Sequence, residues 1–222
     1  MEVKLISLTK GIEEMYSKQD ASLPAMTPEQ LIVYIARVSN PANQMNTETS
    51  DKLIAYLIKN KHWSPLEMCD MTISIVTSRA IAQQILRHRS FSFQEFSQRY
   101  AVATDFEPVQ LRKQADKNRQ SSTDKFDTHT ENLMLINIQN HIDRGEELYK
   151  ILLNKGVAKE CARMVLPLTT QTKIYMKGSV RSWIHYLQIR CDSHAQLEHR
   201  QVAEEIKSIF KTEFPNISKA IF

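Results

Sequence analysis

The chain has 222 residues, of which 42% are hydrophobic and 24% charged, with only 4 glycines and a formal net charge of +4. This composition excludes fibrous and low-complexity classes and leaves one sizeable core, expected as a single domain over residues 1–222. The charge is too mild and too dispersed for a nucleic-acid-binding arm, and it suits a small anionic ligand better.

No stretch approaches the length of a membrane span, and the first residues lack the apolar core of a signal peptide. Three cysteines, Cys69, Cys161 and Cys191, show no CxxC spacing, so a reduced cytoplasmic setting is expected. Cys69 and Cys161 read as small core hydrophobes; Cys191, beside Arg190, is the one in a polar setting.

Val3 to Leu8 reads as a short strand. Thr27-Pro28-Glu29-Gln30 is a helix start, with Thr as cap and Pro in the first turn; the helix runs from Leu31 to Val38 and ends at Ser39-Asn40-Pro41. A second helix, Thr49 to Lys61, turns Leu53, Ile54, Leu57 and Ile58 toward the core. His62-Trp63-Ser64-Pro65-Leu66-Glu67 follows, where Ser64 and Glu67 have the spacing of a capping box. Apolar and polar residues alternate through Met71–Thr77, predicting a strand from Cys69 to Thr77. Ser78 then caps a helix predicted over Arg79–His88. Ile81 and Ile85 face its core side, and Gln84, Arg87 and His88 share a polar side.

Arg87 to Tyr100 is the densest stretch, with three arginines, a histidine, a glutamate, three serines and three phenylalanines in fourteen residues. A solvated charge run would not carry Phe91, Phe93 and Phe96, and a core segment would not carry unpaired guanidiniums. The mixture fits the wall of a polar pocket, with fork-shaped donors for phosphate and rings that exclude water.

Glu107 to Lys125 is polar and reads as a mobile surface loop. A long helix is predicted over Thr128–Asn154, with Leu133, Ile138, Ile142, Tyr149 and Leu152 apolar and Gly156 as its stop. In the next helix Ala158, Cys161 and Val165 share a face and Pro167 closes it. Thr169–Met176 reads as a strand, and Ser179–Arg190 as a helix with Arg181 and His185 on one side. Ser193 and Gln196 have capping-box spacing before a final helix that runs to Glu213. The sum is an α+β fold, a mixed or antiparallel sheet flanked by helices, one of them long.

Arg87-His88-Arg89, seven residues, then Ser97 resembles the signature of the flavin-dependent thymidylate synthases. His62-x-Ser64-Pro65-x-Glu67 and Asp192-Ser193-His194-Ala195-Gln196 are similar to two further elements of that family. The resemblance spans about Ser39 to Arg200 and implies conversion of dUMP to dTMP. Methylenetetrahydrofolate would give the carbon, FAD would act as redox carrier and NADPH as reductant, in a homotetramer whose sites are shared between subunits.

By resemblance, Ser39, His62, Ser64, Arg87, His88, Arg89, Ser90, Glu95, Ser179, Val180, Arg181, His185 and His194 contact FAD. Gln84, Ile85, Leu86, Arg87, Glu95, Phe96, Ser97, Gln98, Arg99, Arg163 and Arg190 contact dUMP. Arg190, Ser97 and His62 would be catalytic, with Arg190 polarising the pyrimidine and either Arg89 or Arg99 taking the phosphate. Glu95 would bond a sugar hydroxyl or organise Arg87. The chain departs from the family pattern at Gln94, Gln98 and Ser179. With 4 glycines it has no Rossmann fingerprint, so FAD must bind by another route.

A thymidylate synthase of the other kind needs a cysteine nucleophile, and none is expected here. Ser97 has no histidine–carboxylate relay beside it. His185, His194 and His199 are spaced wrongly for one helical face, which disfavours a metal site. The arginines with Phe91, Phe93 and Phe96 would suit a nucleic-acid stacking surface, against which the modest charge argues.

Overall fold

Two long strands organise the molecule: β2 (Asp70–Ser78) and β4 (Gln171–Ser179) pair antiparallel along their whole length, Met71 opposite Gly178 and Ile75 opposite Ile174. The computed structural model describes residues 1–12 and 26–222. Among these, β1 (Glu2–Leu8) flanks β2 and the short β3 (Ser92–Glu95) flanks β4, giving an antiparallel sheet in the order β1-β2-β4-β3.

Period-two alternation gives the sheet two unlike faces. Met71, Ile73, Ile75, Ile174 and Met176 are fully buried on one, while Lys173, Tyr175 and Lys177 stand exposed on the other. Five helices cover the apolar face: α1 (Pro28–Ala36), α2 (Ser50–Lys59), α6 (Val180–Arg190), α7 (Leu197–Glu213) and α8 (Pro215–Ile221). Their inward side chains, including Ile32, Ile54, Trp183, Tyr186, Ile206, Phe210 and Phe214, join the strands in one core. Burying each such side chain is worth about 1.5–3 kcal/mol, so the two layers hold each other.

The capping box at Thr27 is formed in both directions: Gln30 N–H donates to the Thr27 hydroxyl, and Thr27 N–H to the Gln30 side chain. The long helix α4 (Thr128–Asn154) is capped by Asp127 and stopped by Gly156, whose φ of 83° is the left-handed conformation glycine adopts readily.

Several sequence expectations are corrected. Ser64 and Glu67 form no capping box. They lie in a 3-10 turn (Ser64–Glu67), because the Glu67 carboxylate is drawn into charge-assisted bonds with Ser179 and Arg181 instead. Ser193 is not the cap of α7 either: Gln196 takes that position, and its side chain bonds Gln84 and Glu198. The helix after β2, α3 (Arg79–Ile85), ends three residues short of the predicted His88, where tighter turns carry the chain inward. His88 therefore leaves the polar side shared with Gln84.

Only Ala162 is buried in α5 (Lys159–Ala162). Cys161 is exposed rather than in the core, since the chain tightens into a 3-10 turn at Arg163–Val165 and the predicted shared face is lost. Residues 107–125 are a small hairpin, in which Lys113 exchanges backbone bonds with Thr123 and Asp124. Arg112 ties it to Glu198 of α7 at 2.7 Å. The helix α8 was not foreseen beyond Glu213; buried Glu29 accepts from Ile217 N–H and the Asn216 side chain at its start. No described helix is long and apolar enough to cross a membrane.

Candidate active site

The chain leaving α3 carries Arg87-His88-Arg89 into β3, and Phe91 pins that turn. Its ring is buried edge-on against Trp183 at 4.7 Å and Tyr186 at 5.9 Å. Gly178 of β4 permits this approach, since a Cβ there would stand 2.4 Å from the Phe91 ring. The Arg-His-Arg turn is thereby locked against the start and middle of α6.

His88 lies inside this corner, edge-on to Tyr186 at 4.9 Å, and its Nε2 accepts a hydrogen bond from Arg190 Nε at 2.9 Å. Burial, reinforced by Arg190 and His185, lowers the His88 pKa to about 4. The imidazole is thus neutral, accepting at Nε2 and carrying its proton at Nδ1. Arg190 is half-buried, and its two terminal nitrogens have no partner among the described residues. Those nitrogens are free donors held at a fixed place.

Beside this corner opens a cleft of about 490 Å³ lined by Trp63, Glu67, Ser90, Arg181, Ser182, Ile184, His185 and Gln188. Arg181 and His185 share the side of α6 that faces it, as their spacing predicts. Glu67 holds Arg181 at 2.9 Å and accepts from Ser179 Oγ at 2.5 Å; Ser182 Oγ donates to the Ser90 carbonyl at 3.3 Å. Trp63, Glu67, Ser182 and Gln188 are cleft residues that sequence reasoning passed over. Glu67 carried a signal, but it was assigned to helix capping.

The other predicted residues fall into separate places. Gln84 bonds Gln196 at 2.6 Å and meets His199 at 3.3 Å. Glu95 accepts from Thr172 at 3.0 Å and pairs with Arg79 at 3.5 Å, so it does not organise Arg87. Arg87 and Arg89 are exposed and have no side-chain partner among the described residues. Arg99 pairs with Glu160 at 3.3 Å, and Arg163 donates to the Glu160 carbonyl at 3.4 Å. Phe96 and Ser97 are exposed at the end of β3, whereas Gln98 is buried with its amide nitrogen unpartnered among the described residues. Ile85 and Val180 are fully buried, so only their backbones could meet a ligand, and Leu86 is half-buried.

His62 and Ser64 are exposed beside Trp63, His62 standing edge-on to Tyr56 at 5.8 Å. Ser39 lines a different cleft with Arg37 and Lys52, and exposed His194 bonds Asp192. His199 is buried, away from a metal-binding grouping with His185 and His194, and no such group of three exists among the described residues.

Burial pushes the thiols of Cys69 and Cys191 up to about 12, with Asp70 and Glu204 respectively adding to the effect. Neither can supply a thiolate near neutral pH.

Residues 23–216 match the family model described as thymidylate synthase complementing protein. A flavin-dependent thymidylate synthase of Synechocystis sp. is 50% identical over 221 residues, covering 100% of this chain and 99% of that one. The chain belongs to the flavin-dependent thymidylate synthases. A probable flavin-dependent thymidylate synthase of Paramecium bursaria Chlorella virus 1 is 47% identical over 222 residues, again covering 100% and 99%. Among solved structures, a UMP/dUMP methylase of Streptomyces cacaoi bound with 5-Br dUMP superposes with a TM-score of 0.80 at 25% identity, covering 99% of this chain and 93% of that one. The cleft's donor set fits the flavin cofactor that the family name implies. It offers a guanidinium and hydroxyls for phosphate and sugar, with an indole and an imidazole to border a planar ring.

Proposed function

We propose that this flavin-dependent thymidylate synthase methylates dUMP to dTMP, with methylenetetrahydrofolate as carbon donor and NADPH as reductant. The observation that carries the reading is the bond from Arg190 to His88, which couples the Arg-His-Arg turn to a half-buried guanidinium with free donors. Such donors beside a uracil carbonyl would stabilise the enolate-like charge that develops as C5 attacks. Gln84 and Arg87 hold ring and sugar, Arg89 or Arg99 with Ser97 takes the phosphate, and Glu95 is left to a sugar hydroxyl.

FAD would supply the redox chemistry, relaying a hydride from NADPH to the new methyl group. Ser90, Arg181, Ser182, His185 and Trp63 would hold it, with His62, Ser64, Arg87, Arg89 and His194 at its margins. His62, Ser39 and Arg190 serve a common site if it is completed by neighbouring subunits of a homotetramer, because one chain does not bring them together. The three free cysteines support a reducing, cytoplasmic setting.

The test is the visible spectrum of the protein with FAD, followed anaerobically as NADPH and then dUMP are added. Bleaching of the flavin band by NADPH, at a rate changed by dUMP, is the expected result. If FAD does not bind and NADPH is untouched, the reading falls and a nucleotide- or nucleic-acid-binding role takes its place.

A further inference from the structure

Behind Gln84 lies a hydrogen-bonded pair for which the reaction has no use. His199 of α7 is fully buried, with Nε2 3.1 Å from the Tyr186 hydroxyl of α6 and Nδ1 3.3 Å from Oε1 of Gln84 on α3. Burial, with Arg190 and His88 nearby, lowers its pKa to about 3, so the ring is neutral and has one N–H to give.

The proton count sets a direction. Tyr186 is buried, and His199 is the acceptor its O–H has among the described residues. Its O–H therefore donates to Nε2, the ring proton sits on Nδ1, and Nδ1–H donates to Gln84 Oε1. The reverse arrangement would leave the Tyr186 proton buried without an acceptor, which costs more than the bond is worth. With its oxygen held inward, Gln84 presents its amide nitrogen, which here donates to Gln196 Oε1 at 2.6 Å.

We propose that Tyr186 and His199 are positioning residues that hold Gln84 as a hydrogen-bond donor toward C4 of the pyrimidine, so that the site prefers the C4 carbonyl of uracil over the C4 amino group of cytosine. The proposal rests on the reading that Gln84 meets the nucleotide. Neither residue touches the ligand; each acts through the Gln84 amide.

The experiment is calorimetric titration of the FAD-loaded full chain with dUMP and with dCMP, for the unaltered protein and for Tyr186→Phe, His199→Asn and His199→Phe, with steady-state kinetics in parallel. Tyr186→Phe removes the group that fixes the imidazole proton. It should weaken dUMP about 10-fold, the worth of one hydrogen bond, and narrow the dUMP-to-dCMP ratio by a similar factor. KM should rise with it while kcat changes little. His199→Asn keeps an amide nitrogen near the place of Nδ1 and should restore much of the ratio that His199→Phe loses. A purely structural role would lower melting temperature in all three without moving the ratio. If the unaltered protein binds dUMP and the ratio is unchanged in Tyr186→Phe and His199→Phe, the proposal is overturned. If the unaltered protein binds no dUMP, the reading beneath it fails first. Should His199→Phe not fold, Tyr186→Phe and His199→Asn carry the same decision.

Discussion

At the scale of single residues, the chemistry turns on which groups are charged and which are not. Cys191 stands next to Arg190, yet burial holds its thiol near 12, so Cys191→Ala should keep most of the activity, measured as tritium release from labelled dUMP. Loss of turnover with dUMP binding intact would restore a cysteine mechanism. Ser97→Ala should likewise keep measurable turnover, with KM for dUMP raised several-fold, because a hydroxyl that helps bind phosphate is not a nucleophile. Half-buried His88 and buried His199 give a pH signature. Both are neutral when folded, with pKa values lowered from 6.5 to about 4 for His88 and about 3 for His199. Between pH 6.5 and 4 the unfolded chain therefore binds more protons than the folded one, and stability falls as pH falls through that window. Thermal melts from pH 7.5 to 5 should show this slope, and His199→Asn should flatten it; an equal slope in the variant would assign the loss elsewhere.

At the scale of elements, Gly178 shows how a strand positions the signature turn. A methyl group there meets the Phe91 ring at 2.4 Å, and that ring is already held by Trp183 and Tyr186. Gly178→Ala should cost about 1–3 kcal/mol as overpacking, which at this size is about 2–4 °C of melting temperature per kcal/mol. Flavin affinity should fall with it, since Phe91 carries the Arg-His-Arg turn; calorimetry and FAD fluorescence would separate the two effects. Elements of this kind were largely legible beforehand. Alternation through Met71–Thr77, the Thr27 cap and the Thr128–Asn154 helix with its Gly156 stop are local signals, and local physics decided them. The Ser64–Glu67 and Ser193–Gln196 pairs were misread for the converse reason. Glu67 found Ser179 and Arg181 far along the chain, and a charged bond outweighs a cap worth about 1 kcal/mol, while Gln196 found the distant Gln84. His199 entered the sequence reading only as a candidate metal ligand, because its two hydrogen-bond partners lie 13 and 115 positions away.

At the scale of the whole molecule, the predicted site residues lie apart on one chain, an arrangement the proposed homotetramer would gather. The motif residues could be recognised in sequence, but their meeting could not, since Ser39, His62 and Arg163 sit on different parts of the surface. The helix α4 is the face on which the proposed homotetramer would meet. Of its 27 residues only Ile142 and Tyr149 are buried, while Leu133, Ile136, Leu148 and Ile151 are 51%, 57%, 45% and 46% exposed. Apolar side chains in that number on one helix are more than the scattered exposure a lone domain tolerates without cause. On an isolated chain, Leu133→Lys with Ile136→Lys would be a surface change within about 0.5 kcal/mol per site. In a subunit seam the same pair would bury two unpaired ammonium groups, at several kcal/mol each. If the proposed homotetramer meets through α4, light scattering should show the unaltered protein as a tetramer and the double variant as smaller species, with melting of the separated subunit still cooperative. Bound FAD per chain should drop in step, because the residues that border it would no longer be gathered. A variant that keeps both its tetramer and its flavin would move the seam off α4. One that loses the tetramer and keeps the flavin would place the whole binding site within a single chain.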